Sequence, residues 1–236
     1  MIAVILAAGK GSRLQSVEPD VPKCMVKFNG LPVLNWTILH MVHMKIQDIV
    51  ITIGHMGHVI QDHFGDGSKW DLRITYSVED ELLGTAGGVK RAMKGRPYDP
   101  IIVWHGDNVS TCNLQRMMAY HRAHRGDGTI AVCWREDATK SSIIGWDITN
   151  RINHFQEKPK IIGPTHGWIS AGIYILEPWV WSTIPDIRAV DFGHDIFPQT
   201  IEQKRELYAY GFSHDEWLRW YDTPEDLARL RADYGQ

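Results

Sequence analysis

Short apolar runs alternate with longer amphipathic stretches through the first half of the chain. The runs at 3–6, 48–53, 72–77, 101–104 and 129–134 predict strands, and the stretches at 33–44, 58–64, 86–93 and 114–125 predict helices between them. Apolar strands separated by helices bury both faces. The pattern therefore predicts an α/β fold: a Rossmann-like, mixed, mostly parallel sheet flanked by helices. Beyond about residue 140 the rhythm changes. Segments 143–148, 152–156 and 168–176 predict strands of an insertion or extended sheet, followed by helices at 178–183, 195–204 and 224–233. Pro224 suits the first turn of the last helix, where its missing N–H is no loss.

At 236 residues the chain suits one large domain with a substantial core. A net charge of −3 and a pI near 6.4 offer no basic footprint for nucleic acid. The apolar runs are too short to span a bilayer, and no charged-apolar-small cleavage pattern opens the chain. Cys24, Cys112 and Cys133 have no paired spacing, which fits a reducing, cytoplasmic setting better than a disulfide framework or zinc knuckle. Among 12 histidines, the pairs His40/His43, His55/His58 and His121/His124 can each share a helical face. No glutamate or cysteine completes a metal pattern around them, so they read as surface or packing residues.

Chemistry concentrates where the first strand ends. Leu6 leads into Ala7, Ala8, Gly9, Gly11 and Ser12, with Arg13 and Lys23 as fixed positive charges. Small side chains let backbone N–H groups approach a phosphate chain, and the two cations neutralise it. The loop suits a nucleoside triphosphate. It is not a dinucleotide fingerprint, whose third glycine would fall at Leu14. Nor is it a Walker loop, since Gly11 follows Lys10 and the earlier glycine position is Val4. The pattern Leu6-Ala7-Ala8-Gly9-x-Gly11-x-Arg13-Leu14, followed by Pro22-Lys23, resembles the sugar nucleotidyltransferases, or nucleoside-diphosphate-sugar pyrophosphorylases.

The resemblance runs along nearly the whole chain. It implies the glycosyltransferase-A-like nucleotidyltransferase fold in one domain over 1–236, with about 1–135 binding nucleotide and about 136–236 binding sugar phosphate. No hexapeptide repeat is present, so the left-handed β-helix domain of some members is not expected. Asp107 closes the strand at 101–104, in the crevice where α/β proteins bind ligands, and a carboxylate there can hold Mg2+. The family has a metal aspartate there and another that Asp222 resembles. Here Asp222 abuts Thr223-Pro224, whereas the usual family form places Ile-Gly between them. A helix cap is the alternative reading of either acid. Glu79 and Glu81 precede the glycine-rich turn Gly84-Thr85, a segment the family uses to recognise base and sugar. A carboxylate can accept from the N1–H and exocyclic amine of guanine, which favours GTP; a solvated acidic loop is the alternative.

Glu157-Lys158-Pro159 matches the block in which glutamate contacts sugar hydroxyls and lysine holds the sugar phosphate. A generic surface pair is the alternative. Gly145 and Gly172 resemble glycines lining the sugar pocket, or are strand bulges. Asp195 falls in an acidic segment ending in Phe197-Pro198 and is a candidate sugar contact; Trp146 and Trp168 could wall the pocket. The resemblance implies the reaction NTP plus sugar 1-phosphate giving NDP-sugar and pyrophosphate. Arg13 would face the pyrophosphate, Lys23 the α-phosphate and Lys158 the attacking phosphate, with Mg2+ on Asp107 and Asp222. The spacer Gln15-Ser16-Val17-x-x-Asp20 looks most like D-glycero-α-D-manno-heptose 1-phosphate guanylyltransferases. Cys24 replaces the proline common after the lysine. Mannose-1-phosphate guanylyltransferase, a uridylyl-, thymidylyl- or cytidylyltransferase, a phosphocholine-type enzyme and a silent nucleotide-sugar-binding protein stay open. So does a homo-oligomer.

Overall fold

A computed structural model describes residues 1–159, 165–186 and 189–233. Strand β1 (Ile2–Leu6) lies at the centre, with Ala3, Val4 and Ile5 wholly buried. A run apolar at every position is what burial on both faces requires. β1 pairs in parallel with β4 (Asp48–Ile53) on one side and β6 (Ile101–His105) on the other, and β4 carries β5 (Arg73–Val78), also parallel. Helices α1 (Val33–His43), α2 (Gly57–Phe64), α3 (Gly84–Ala92) and α4 (Leu114–His124) cover this half. The short pair β2 (Lys27–Phe28) and β3 (Leu31–Pro32) leads into α1.

The second half continues the same sheet. β11 (Gly167–Leu176) runs antiparallel to β6 and carries β8 (Gly128–Arg135) and β9 (Ile143–Trp146), and β10 (Ile152–Gln156) closes that edge. The expected mixed, mostly parallel sheet flanked by helices is thus borne out. Segment 143–148 ends as a strand at Trp146, because the Asp147 carboxylate turns the chain by accepting from the backbone N–H of Thr149 and Arg151.

Other elements went unread. β12 (Leu207–Gly211) pairs in parallel with β8, and β7 (Val109–Ser110) pairs with β13 (Leu218–Arg219). The helix expected at 195–204 is instead a π turn, Phe192–Ile196, followed by α6 (Phe197–Glu202). α5 (Pro178–Ser182) and α7 (Pro224–Asp233) start on their prolines as expected.

Of the paired histidines, His43, His55 and His58 are exposed, while His40, His121 and His124 pack against neighbours. His40 Nε2 lies 2.6 Å from the Cys112 carbonyl, and buried His121 sits between Thr129 Oγ1 and Glu177 Oε1 at 2.9 and 3.1 Å. Burial lowers the pKa of both imidazoles, against the opposing pull of these partners. The unfolded chain then binds more protons below about pH 6.5, so stability falls on acidification. The thermal midpoint is expected to drop between pH 7 and 5, less steeply in His121→Gln. A midpoint indifferent to pH over that range refutes this.

Candidate active site

The carboxyl ends of β1 and β6 open into a cleft of about 990 Å³, where the chain turns away from the sheet. Leu6, Ala7, Ala8, Gly9, Gly11, Ser12, Arg13 and Lys23 line one wall, with Glu79, Gly84 and Thr85 beside them. Asp107 and Asp222 lie on the floor, and Glu157, Lys158 and Gly172 line the far wall. Three sequence candidates stand apart. Glu81 is exposed, Gly145 sits in β9 and Asp195 accepts from the backbone N–H of Asp191 at 2.8 Å; none lines the cleft. Trp146 and Trp168 are outside it too, with Trp168 edge-to-face against both Trp146 and Trp134.

The centre is a three-charge cluster. Lys23 Nζ donates to Asp107 Oδ2 at 2.6 Å and to Asp222 Oδ1 at 2.7 Å, with Arg13 3.9 Å from Asp222. Neither aspartate is a helix cap. Thr223 and Asp226 cap α7 reciprocally, each side chain accepting the other's backbone N–H, which leaves Asp222 free to face the cleft. Lys23 reaches this point from a 3-10 turn, Lys23–Met25, pinned by the buried Tyr221 hydroxyl donating to the Lys23 carbonyl at 2.8 Å. Burial alone would lower the Lys23 pKa, but attraction to Asp107 and Asp222 wins and raises it. Burial likewise pushes Asp107 up, and Lys23 overrides it, so its pKa is lowered. Lys23 and Asp107 are therefore both charged at neutral pH.

Glycines make this approach feasible. Gly11 has φ +59°, and a Cβ there would fall 2.6 Å from Lys23 Cβ. Gly172 has φ +68° in β11, and its Cβ would meet Asn108 Nδ2 at 2.8 Å and His105 Cγ at 2.9 Å. Gly172→Ala is expected to cost about 1–3 kcal/mol through backbone strain and clash. Equilibrium denaturation tests this, and an unchanged midpoint counts against it.

On the far wall, Ser142 Oγ donates to Glu157 Oε2, and Lys158 Nζ lies 3.4 Å from Glu157 Oε1. Lys158 has φ +40°, a left-handed conformation in a residue preceding proline, and such strain gathers at functional sites. Thr85 donates through its N–H and hydroxyl to Asp191, joining the start of α3 to the π turn. Glu79 is buried; its Oε2 accepts from Leu83 N at 3.0 Å, and burial raises its pKa. Sequence reading missed Asp191, Arg135, His105 and Tyr174 in the lining. An Asp-x-Gly within an acidic stretch was the available signal for Asp191; Arg135 had none.

Among the described residues no three His, Cys, Asp or Glu side chains converge as a metal cage. Asp107 and Asp222 do converge on one point, with side chains 38% and 41% exposed. Two hard oxygen donors at a cleft surface suit a cation that completes its shell with water and phosphate, as Mg2+ does.

Sheet and cleft together define an α/β protein with a cleft at the carboxyl ends of its central parallel strands, and the chain belongs to the nucleotidyl transferase family, whose model matches residues 2–234. It is 31% identical to mannose-1-phosphate guanylyltransferase of Mycobacterium tuberculosis over 98% of this chain and 64% of that protein. It is 29% identical to the UTP–glucose-1-phosphate uridylyltransferase of Synechocystis sp., over 98% of this chain and 63% of that protein. The chain therefore spans about three fifths of the length of these curated relatives. HddC from Yersinia pseudotuberculosis, solved in complex with GMP-PN, shares the fold with a TM-score of 0.82 at 24% identity, covering 99% of both chains. Among the described residues no helix is long and apolar enough to cross a membrane.

Proposed function

We propose that this protein joins a nucleoside triphosphate to a sugar 1-phosphate, releasing pyrophosphate. The observation that carries the reading is Lys23 held between Asp107 and Asp222 beside the glycine loop, in a cleft that continues to Glu157 and Lys158. The acceptor phosphate is already an anion, so attack on the α-phosphorus needs no general base. Positioning and charge neutralisation supply the catalysis. Backbone N–H groups of the loop cradle the triphosphate. Lys23 faces the α-phosphate, Arg13 the departing pyrophosphate and Lys158 the attacking phosphate. Asp107 and Asp222 would hold Mg2+, which would neutralise phosphate charge.

Guanine is favoured as the base. Of the two acids expected to read it, Glu79 alone lines the cleft, and guanylyltransferase relatives support the same choice. For the sugar, D-glycero-α-D-manno-heptose 1-phosphate and mannose 1-phosphate stand level. A grid of nucleoside triphosphates against heptose, mannose, glucose and N-acetylhexosamine 1-phosphates and phosphocholine, read by pyrophosphate release, tests both choices. GTP with heptose or mannose 1-phosphate is expected to turn over fastest. Preference for another base overturns the role of Glu79, and no release with any pair overturns the reaction.

A further inference from the structure

Arg135 ends β8 and lines the cleft, opposite Gly167 of β11. Its guanidinium lies 3.9 Å over the Trp220 ring, and its Nη1 donates to Ser141 Oγ at 3.0 Å. Both partners line the cleft as well. Trp220 is two residues before Asp222; Ser141 precedes Ser142, whose hydroxyl donates to Glu157. Arg135 thus spans the gap between the acid at the centre and the wall assigned to the sugar.

Its charge has no close counter-ion, and Asp137, Asp222 and Asp226 attract it only from beyond ion-pair distance. Lys23 is engaged by two aspartates and Lys158 by Glu157, whereas among the described residues no carboxylate forms an ion pair with Arg135. An indole face and one hydroxyl orient the guanidinium but do not neutralise it. Burial lowers its pKa, yet a guanidinium stays protonated at neutral pH. The remaining N–H donors form a rigid fork of the kind that matches a phosphate. A half-buried cation held in this way is a built anion site.

We infer that Arg135 binds the phosphate of the sugar 1-phosphate, orienting it between Glu157 and Asp222, and does not serve the triphosphate. The inference rests on the reaction proposed above. Arg135→Gln and Arg135→Lys, made in the full chain, test it by steady-state kinetics with each substrate varied. Arg135→Gln is expected to raise the KM for sugar 1-phosphate about tenfold to a hundredfold, the range lost with charge-assisted hydrogen bonds. The KM for nucleotide should stay within about twofold. Arg135→Lys should recover part of the loss, since charge returns without the fork. A rise confined to the nucleotide KM, or no change in either, overturns the inference. Calorimetric titration with mannose 1-phosphate separates this from failure of the reaction itself. If the wild-type protein releases no pyrophosphate but binds mannose 1-phosphate more tightly than Arg135→Gln does, the reaction reading fails and the phosphate site stands. Equal binding by both proteins removes the site. If Arg135→Gln does not fold, the same comparison on Arg135→Lys decides.

Discussion

Lys23→Met is expected to reduce kcat for pyrophosphate release by about two to four orders of magnitude while leaving the far-ultraviolet circular dichroism unchanged. The size follows from what the ammonium does. Its pKa is raised despite burial, so it is charged throughout the working pH range, and it stands where the glycine loop and two aspartates meet. A charge placed in advance at the transferring phosphorus acts without reorganisation, which is why such groups are worth more than their ground-state contacts. The variant also leaves Asp107 and Asp222 facing each other without a protein cation between them. Their repulsion raises the proton affinity of one, so the cost to stability is modest at pH 5 and larger at pH 8. Lys23→Arg should not restore turnover, because a planar fork cannot occupy a point contacted at 2.6 and 2.7 Å by two carboxylates. Near-normal release by Lys23→Met refutes the assignment.

Asp107→Asn and Asp222→Asn are expected to lower turnover by about two to three orders of magnitude and to move the Mg2+ requirement to higher concentration. Removing one carboxylate halves the negative charge offered to a hard cation. The amide keeps the shape and some of the hydrogen bonding to Lys23, so the fold should survive. Asp107 is the stronger test, since Lys23 holds its pKa down against burial and it remains ionised. Chelation of the wild-type protein should abolish release, and added Mg2+ should restore it. Wild-type Mg2+ dependence in both variants removes the aspartates from the metal role. A chelator-resistant wild type removes the metal.

Much of the architecture was legible because strand and helix periods differ. β1, β4 and β6 read as strands because burial on both faces leaves the runs Ile2–Leu6, Ile49–Ile51 and Ile101–Trp104 apolar, and α1 and α4 as helices because one face stays wet. β12 was not readable: Leu207–Gly211 is short, and only its seat beside β8 makes it a strand. The π turn at Phe192–Ile196 was hidden for a similar reason, as its contacts with Thr85 and Glu157 come from distant parts of the chain.

The sequence alone determined which chemistry could occur: a small-residue loop with Arg13 and Lys23, and acids at the ends of apolar strands. Those are local properties, set by residue type and spacing. Only the tertiary structure decided which groups meet. It placed Asp222 on Lys23, 199 positions away, because Thr223 took the helix cap. It left Glu81, Gly145 and Asp195 outside the cleft lining and brought Arg135 into it. The physical reason is that side-chain electrostatics act through space over a few ångströms, and chain folding alone sets those distances.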